Sequence, residues 1–193
     1  MTQLASPPCE SHDTEDALTG DHLIQNVGVN NFLTLPKPAN EMSDVVGDVM
    51  ENHLENQQAL WWNVEISKDG MHYTIKNLGS AKYAACYVGT EDRSAALEKD
   101  STIVQKDSVE KDGAVAEKDG AVFKERCTIV GQMNSQDFLI KECRVKGTYT
   151  IQPKGTTELY LGLADREFKT PVQLVKTPTN GRNQWRFTKI NKK

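Results

Sequence analysis

Three times along this 193-residue chain an aromatic or histidine opens an alternating apolar stretch, and a long segment later the unit closes on an aromatic. The openings are His22-Leu23-Ile24-Gln25-Asn26, Tyr73-Thr74-Ile75-Lys76-Asn77 and Tyr149-Thr150-Ile151-Gln152-Pro153. The closings are Trp62-Asn63-Val64, Phe138-Leu139-Ile140 and Trp185-Arg186-Phe187. Trp62 to Tyr73 and Phe138 to Tyr149 both span eleven residues, so closing strand, turn and next opening strand recur at one length. Internal repetition of this period constrains the fold more than any local propensity. It predicts an all-β architecture of three like units.

Within each unit the pattern supplies about four short strands and no helix of ten residues. The first has Leu23-Ile24, then Phe32-Leu33-Thr34-Leu35 stopped by Pro36 and Pro38, Val45-Val46-Gly47-Asp48, and Trp61 to Ile66 with Trp62, Val64 and Ile66 on one face. Ser67-Lys68-Asp69-Gly70 reads as a two-residue hairpin turn, because Asp-Gly supplies the positive φ it needs. The second unit has Tyr73 to Asn77, Lys82 to Val88, Cys127 to Val130 and Phe138 to Ile140; the third has Tyr149 to Pro153, Leu159 to Leu163, Val172 to Val175 and Trp185 to Ile190. Twelve strands in three units can close into a barrel with a hairpin cap, which removes exposed sheet edges.

Two segments fall outside this pattern. Residues 1–20 carry Pro7, Pro8 and many acidic and hydroxyl side chains with no apolar period, the composition of a disordered head. Residues 90–124 hold the spaced pairs Lys99-Asp100, Lys106-Asp107, Lys111-Asp112 and Lys118-Asp119; two of these run into Gly, which argues against a long helix and for an expanded tandem repeat in a surface loop. What remains, residues 21–190 less the insertion, is enough for one core of roughly 140 to 150 residues.

Composition then removes whole classes of function. A net charge of −4 with both signs interspersed gives no basic field for nucleic acid. No apolar run is long enough to span a bilayer and no leader pattern opens the chain, so a cytoplasmic protein with no membrane partner is expected. Cys9, Cys86, Cys127 and Cys143 are scattered, without a C-x-x-C pair, and read as reduced thiols; with His12, His22, His53 and His72 they form no metal or nucleophile motif. No cofactor, metal or catalytic residue is expected.

The repeat resembles a β-trefoil, and specifically the ricin-B-like lectins of fungi. Each unit of that family ends in a Gln-x-Trp element; the counterparts here are Gln58-Ala59-Leu60-Trp61-Trp62, Gln136-Asp137-Phe138 and Asn183-Gln184-Trp185. The resemblance implies that these Gln and aromatic residues are structural, the aromatics filling the core and the Gln tying strands together. It also implies a carbohydrate-binding protein whose pockets combine an Asp near the second strand, an aromatic platform and an Asn before the closing element. Thr34 stands where the first unit's Asp belongs and Gly162 where the third's does, while the insertion occupies the second unit's loop. The third unit offers a substitute set: Asp165 with Tyr160 as platform and Asn180 or Asn183 as amide.

The strands Trp61 to Val64, His72 to Lys76 and Trp185 to Thr188 are also similar to those of mushroom mycocypin-type β-trefoil protease inhibitors, which act through surface loops. That resemblance implies a cysteine or serine protease as partner. The candidate loops here are Asn26 to Asn31, with Gly28, Asn30 and Asn31, and Pro36 to Met42. A third expectation is a trefoil scaffold that binds protein and has lost sugar binding.

Overall fold

A computed structural model describes residues 18–36, 42–89, 126–176 and 181–191. The insertion at 90–124, most of the head, Asn180 and residues 37–41 of the second candidate loop lie outside the described residues. The head's last residues belong to the fold: Leu18 is buried in the core and Gly20 already opens the first strand.

Among the described residues fourteen strands follow in chain order. The first unit holds β1 (Gly20–Asn26), β2 (Phe32–Thr34), β3 (Ser43–Asp44), β4 (Val46–Asp48) and β5 (Trp61–Ile66). The second holds β6 (Tyr73–Asn77), β7 (Tyr83–Gly89), β8 (Arg126–Gln132) and β9 (Phe138–Glu142). The third holds β10 (Tyr149–Pro153), β11 (Tyr160–Gly162), β12 (Thr170–Pro171), β13 (Gln173–Val175) and β14 (Trp185–Lys189). The twelve strands read from the pattern are present, and two two-residue strands, β3 and β12, join the cap of one unit to the next: β3 pairs β8, and β12 pairs β4. Among the described residues the only helical pieces are 3-10 turns, including Met50–His53 and Gln57–Leu60, and no helix is long and apolar enough to cross a membrane.

Opening and closing strands form a closed ring in which every edge is paired. β1 pairs β5, β5 pairs β6, β6 pairs β9, β9 pairs β10, β10 pairs β14, and β14 returns to β1. Hairpins β2/β4, β7/β8 and β11/β13 cap one end. Because side chains alternate along a strand, equivalent positions of the three units meet in layers. Ile24, Ile75 and Ile151 form one layer and Trp62, Phe138 and Trp185 another, all with no exposed surface. Each buried indole contributes about 2–3 kcal/mol from area alone, and its N–H donates to a cap carbonyl: Trp62 Nε1 to Leu33 O at 2.8 Å, Trp185 Nε1 to Leu161 O at 2.9 Å.

The cap is drawn together by its backbone. Val45 N donates to Ile129 O at 2.8 Å, Ile129 N to Val172 O at 2.9 Å and Val172 N to Val45 O at 2.9 Å, a closed ring of three bonds with one member per unit. Small residues let neighbouring hairpins approach: a Cβ at Gly131 would lie 2.5 Å from Leu35 Cδ2, and one at Gly47 would lie 2.5 Å from Leu163 Cδ1. Cys86 and Leu174 occupy the third pair of equivalent positions and pack against the core with the size order reversed.

The expected two-residue turn after β5 is wider than the sequence suggested. Ser67 N donates to His72 O and Gly70 N to Ser67 O, leaving four residues in the loop, because the Asp69 carboxylate accepts the amides of Met71 and His72 and holds the chain open.

Candidate binding cleft

The closing-element glutamines divide by role. Gln136 accepts the Cys86 amide at 2.5 Å and so ties β7 to the approach of β9. Gln58 is exposed, and its main-chain carbonyl is what neighbouring donors reach. The larger share of strand tying falls to two residues whose role the sequence did not reveal, Asn26 and Asn77 at the ends of β1 and β6. Both are fully buried. Asn77 donates to Ala59 O and Trp61 O and accepts Gly79 N and Ser80 N; Asn26 donates to Arg182 O and accepts Gly28 N and Val29 N. Pro153 holds the third equivalent position and offers no such amide.

The loop Asn26 to Asn31 is thereby fastened to the third unit. Gly28 N donates to Gly181 O at 2.9 Å, and a Cβ on Gly28 would lie 2.6 Å from Arg182 N. Asn31 is buried and donates to Arg166 O; of the candidate inhibitory residues Gly28, Asn30 and Asn31, Asn30 alone is exposed. The loop does not protrude as a plug for a protease cleft would have to.

The third-unit set is dispersed in the same way. Asn183 is buried beside Gly162, where a Cβ would fall 2.5 Å from Asn183 Oδ1; no Asp fits at position 162, because the amide fills its place. Tyr160 is half-buried on β11 opposite Val175. Asp165 is spent within its own loop: Oδ1 accepts the Thr170 hydroxyl and, at 3.0 Å, the Glu167 amide. The Thr170 hydroxyl, the Glu167 N–H and the nearby Arg182 guanidinium hold its carboxyl below the usual range. Arg182 also donates to Ala164 O, so the loop 163–170 is braced from both ends.

That braced loop forms one wall of a cleft in the first unit. Its residues Phe168 and Lys169 face Asp48, Asn52, His53 and Asn56 across an open volume of about 630 Å³. β12 fixes the approach, since Thr170 pairs with Gly47 and Pro171 with Val46, bringing Lys169 level with Asp48. Phe168 is 66% exposed, unusual for so large an apolar side chain. On the opposite wall the Asp48 side chain is 1% exposed and organises its neighbours. Its Oδ1 accepts Val49 N at 2.8 Å and Asn52 Nδ2 at 2.7 Å, and its Oδ2 lies 3.0 Å from His53 Nε2. The 3-10 turn Met50–His53 follows this carboxylate; Asn52 is exposed on it, while the His53 side chain is 12% exposed. Asn56, just before the closing element, makes no side-chain hydrogen bond among the described residues. The arrangement is a rigid wall of amide and imidazole groups facing an aromatic face. Among the described residues no group of three or more His, Cys, Asp or Glu is placed to hold a metal.

No protein-family model and no curated protein sequence matches this chain. Solved structures do. A ricin B-like lectin of Macrolepiota procera, determined in complex with lactose, matches at a TM-score of 0.60 and 16% identity, covering 89% of this chain and 97% of that one. The Rhizoctonia solani agglutinin matches at 0.61 and 17%, covering 98% of this chain and 100% of that one. The designed three-fold symmetric protein ThreeFoil matches at 0.59 and 10%, covering 89% and 99%. The fold is a β-trefoil. The trefoil's six-stranded barrel and three-hairpin cap are those described above, and the first and third units together make the cleft at the cap's edge.

Proposed function

We propose that this trefoil is a non-catalytic carbohydrate-binding protein and that the sugar sits in the cleft between Phe168 and the Asn52–Asn56 segment. One observation carries the reading: an exposed aromatic, held on a braced loop, faces Asn56 and two further polar side chains, Asn52 and His53, whose positions a buried carboxylate fixes. A sugar ring needs this combination, because its C–H face packs on an aromatic while its hydroxyls need fixed donors and acceptors. Asn56 supplies both from one amide, and Asn52 keeps a carbonyl oxygen and one N–H after serving Asp48. The likeness to ricin B-like lectins supports the reading at the level of fold. Asp165, with Thr170, acts from behind by setting the loop that carries the platform.

The test is a glycan array with the full chain, followed by calorimetric titration of the glycans retained. Phe168→Ala should abolish binding while leaving the unfolding midpoint unchanged, since the ring is mostly exposed. Asn56→Ala should weaken binding about tenfold through one or two lost hydrogen bonds. Binding that ignores Phe168→Ala would remove the cleft from the reading. A blank array accompanied by inhibition of a cysteine or serine protease would replace it with the inhibitory one.

A further inference from the structure

The hydrogen-bonding capacity left open in the cleft carries a sign. Among the described residues that line the cleft, Asp48 is the only carboxylate, and that side chain is 1% exposed with both oxygens occupied by Val49 N, Asn52 Nδ2 and His53 Nε2. A sugar hydroxyl could reach it only by displacing His53 or Asn52. The other carboxylates of the same segments, Glu51, Glu55, Asp165 and Glu167, do not line the cleft. What faces a ligand is therefore the Lys169 ammonium and the amides of Asn52 and Asn56. Lys169 is exposed and has no carboxylate partner among the described residues. It sits in the left-handed region at φ 58, between Phe168 and the β12 anchor at Thr170, so its Cα is fixed at the lip of the cleft.

A neutral sugar leaves such a wall underused, since hydroxyls bind most strongly to an open carboxylate that accepts two of them, and none is open here. A negatively charged substituent uses it fully: hydrogen bonds in which one partner is ionised are roughly twice as strong as neutral ones. We infer that the cleft selects glycans bearing an anionic group, a sugar carboxylate or sulfate, with the ring on Phe168 and the anion at Lys169. This rests on the carbohydrate reading above and narrows it.

The experiment titrates the full chain with three glycans sharing one neutral core: unmodified, carrying a terminal sialic acid, and carrying a sulfate ester. Wild type, Phe168→Ala, Lys169→Gln and Lys169→Glu are compared. At least one anionic form should bind about tenfold more tightly than the neutral core, the value of one charge-assisted hydrogen bond. The sialylated and sulfated arms tell which anion is preferred. Lys169→Gln should bring the anionic form to the level of the neutral one, and Lys169→Glu should reverse the order. The advantage should shrink as salt is raised. Equal binding of all three forms, unaffected by Lys169→Gln yet lost in Phe168→Ala, would overturn this inference and leave carbohydrate binding standing. Failure of all three to bind, with a blank array, would overturn both.

Discussion

At the scale of single residues, the trefoil's barrel rests on three aromatic closings of which two also carry a polar duty. Trp185 fills space and satisfies Leu161 O, so Trp185→Ala should cost about 3–5 kcal/mol in urea unfolding. Trp185→Phe retains bulk and forfeits the hydrogen bond, at about 1 kcal/mol. An unfolding midpoint unmoved by Trp185→Ala would contradict its place in the core. Asn77 is the comparable polar case: Asn77→Ala removes buried hydrogen bonds to main-chain groups of Ala59, Trp61, Gly79 and Ser80 and should cost about 2–3 kcal/mol by the same measurement. The aromatic role was legible because spacing and residue type repeat. The role of Asn77 was not, since an amide at the end of an opening strand reveals its partners only once the closing strand lies beside it. Asp48 was half legible. Asn52 and His53 follow it by four and five residues, a spacing that suits local capping, whereas nothing short-range announces that Phe168 and Lys169 return to the same place.

At the scale of elements, strand after strand was visible in the alternation, while turns and braces were not. The β5–β6 loop shows why: Asp69 gathers Met71 N, His72 N, the His72 ring and Lys154 from the end of β10, a constellation invisible in a local Asp-Gly. Lys154 is the foremost cause holding the Asp69 carboxyl below its usual range, and Asp69 in turn pushes the Lys154 ammonium up. A depressed carboxyl contributes stability above about pH 4, its ordinary midpoint, and loses it as pH falls through the folded value. A raised ammonium contributes below about pH 10.4 and loses it as pH rises through its folded value. The two shifts describe one pair. Lys154→Met should therefore lower Tm slightly at neutral pH, with the difference from wild type closing below about pH 4 and again in strong alkali, and with high salt reducing it throughout because the pair is exposed. The loop 163–170 obeys the same logic: Asp165→Ala should leave Tm nearly unchanged but weaken glycan binding through the misplaced Phe168, as calorimetry on the same sample would show.

At the scale of the whole molecule, the three-fold repeat predicted barrel and cap, and the departures from symmetry are where the cleft lies. The second unit spends its cap hairpin on long strands, β7 and β8, paired from Tyr83↔Gln132 to Gly89↔Arg126, with residues 90–125 between them. The first and third units lack the expected Asp at Thr34 and Gly162, yet make a cleft from one wall each. Cap closure should also govern cooperativity. Val172→Pro removes one donor from the ring of Val45, Ile129 and Val172, and should lower the midpoints followed by indole fluorescence and by backbone circular dichroism together. Separated midpoints would mean that the units melt independently.

The same ring sets a schedule for synthesis. Its members lie far apart in the chain, and the barrel is sealed only when β14 meets β1. A polypeptide leaving the ribosome thus has no way to complete one third of the molecule and wait for the rest: two units emerged still present an open cap and unpaired strand edges. Until residue 172 and then β14 are available, the nascent chain must be shielded rather than folded, and a chain ending before Val172 should be degraded or aggregated, not a smaller working version of the protein.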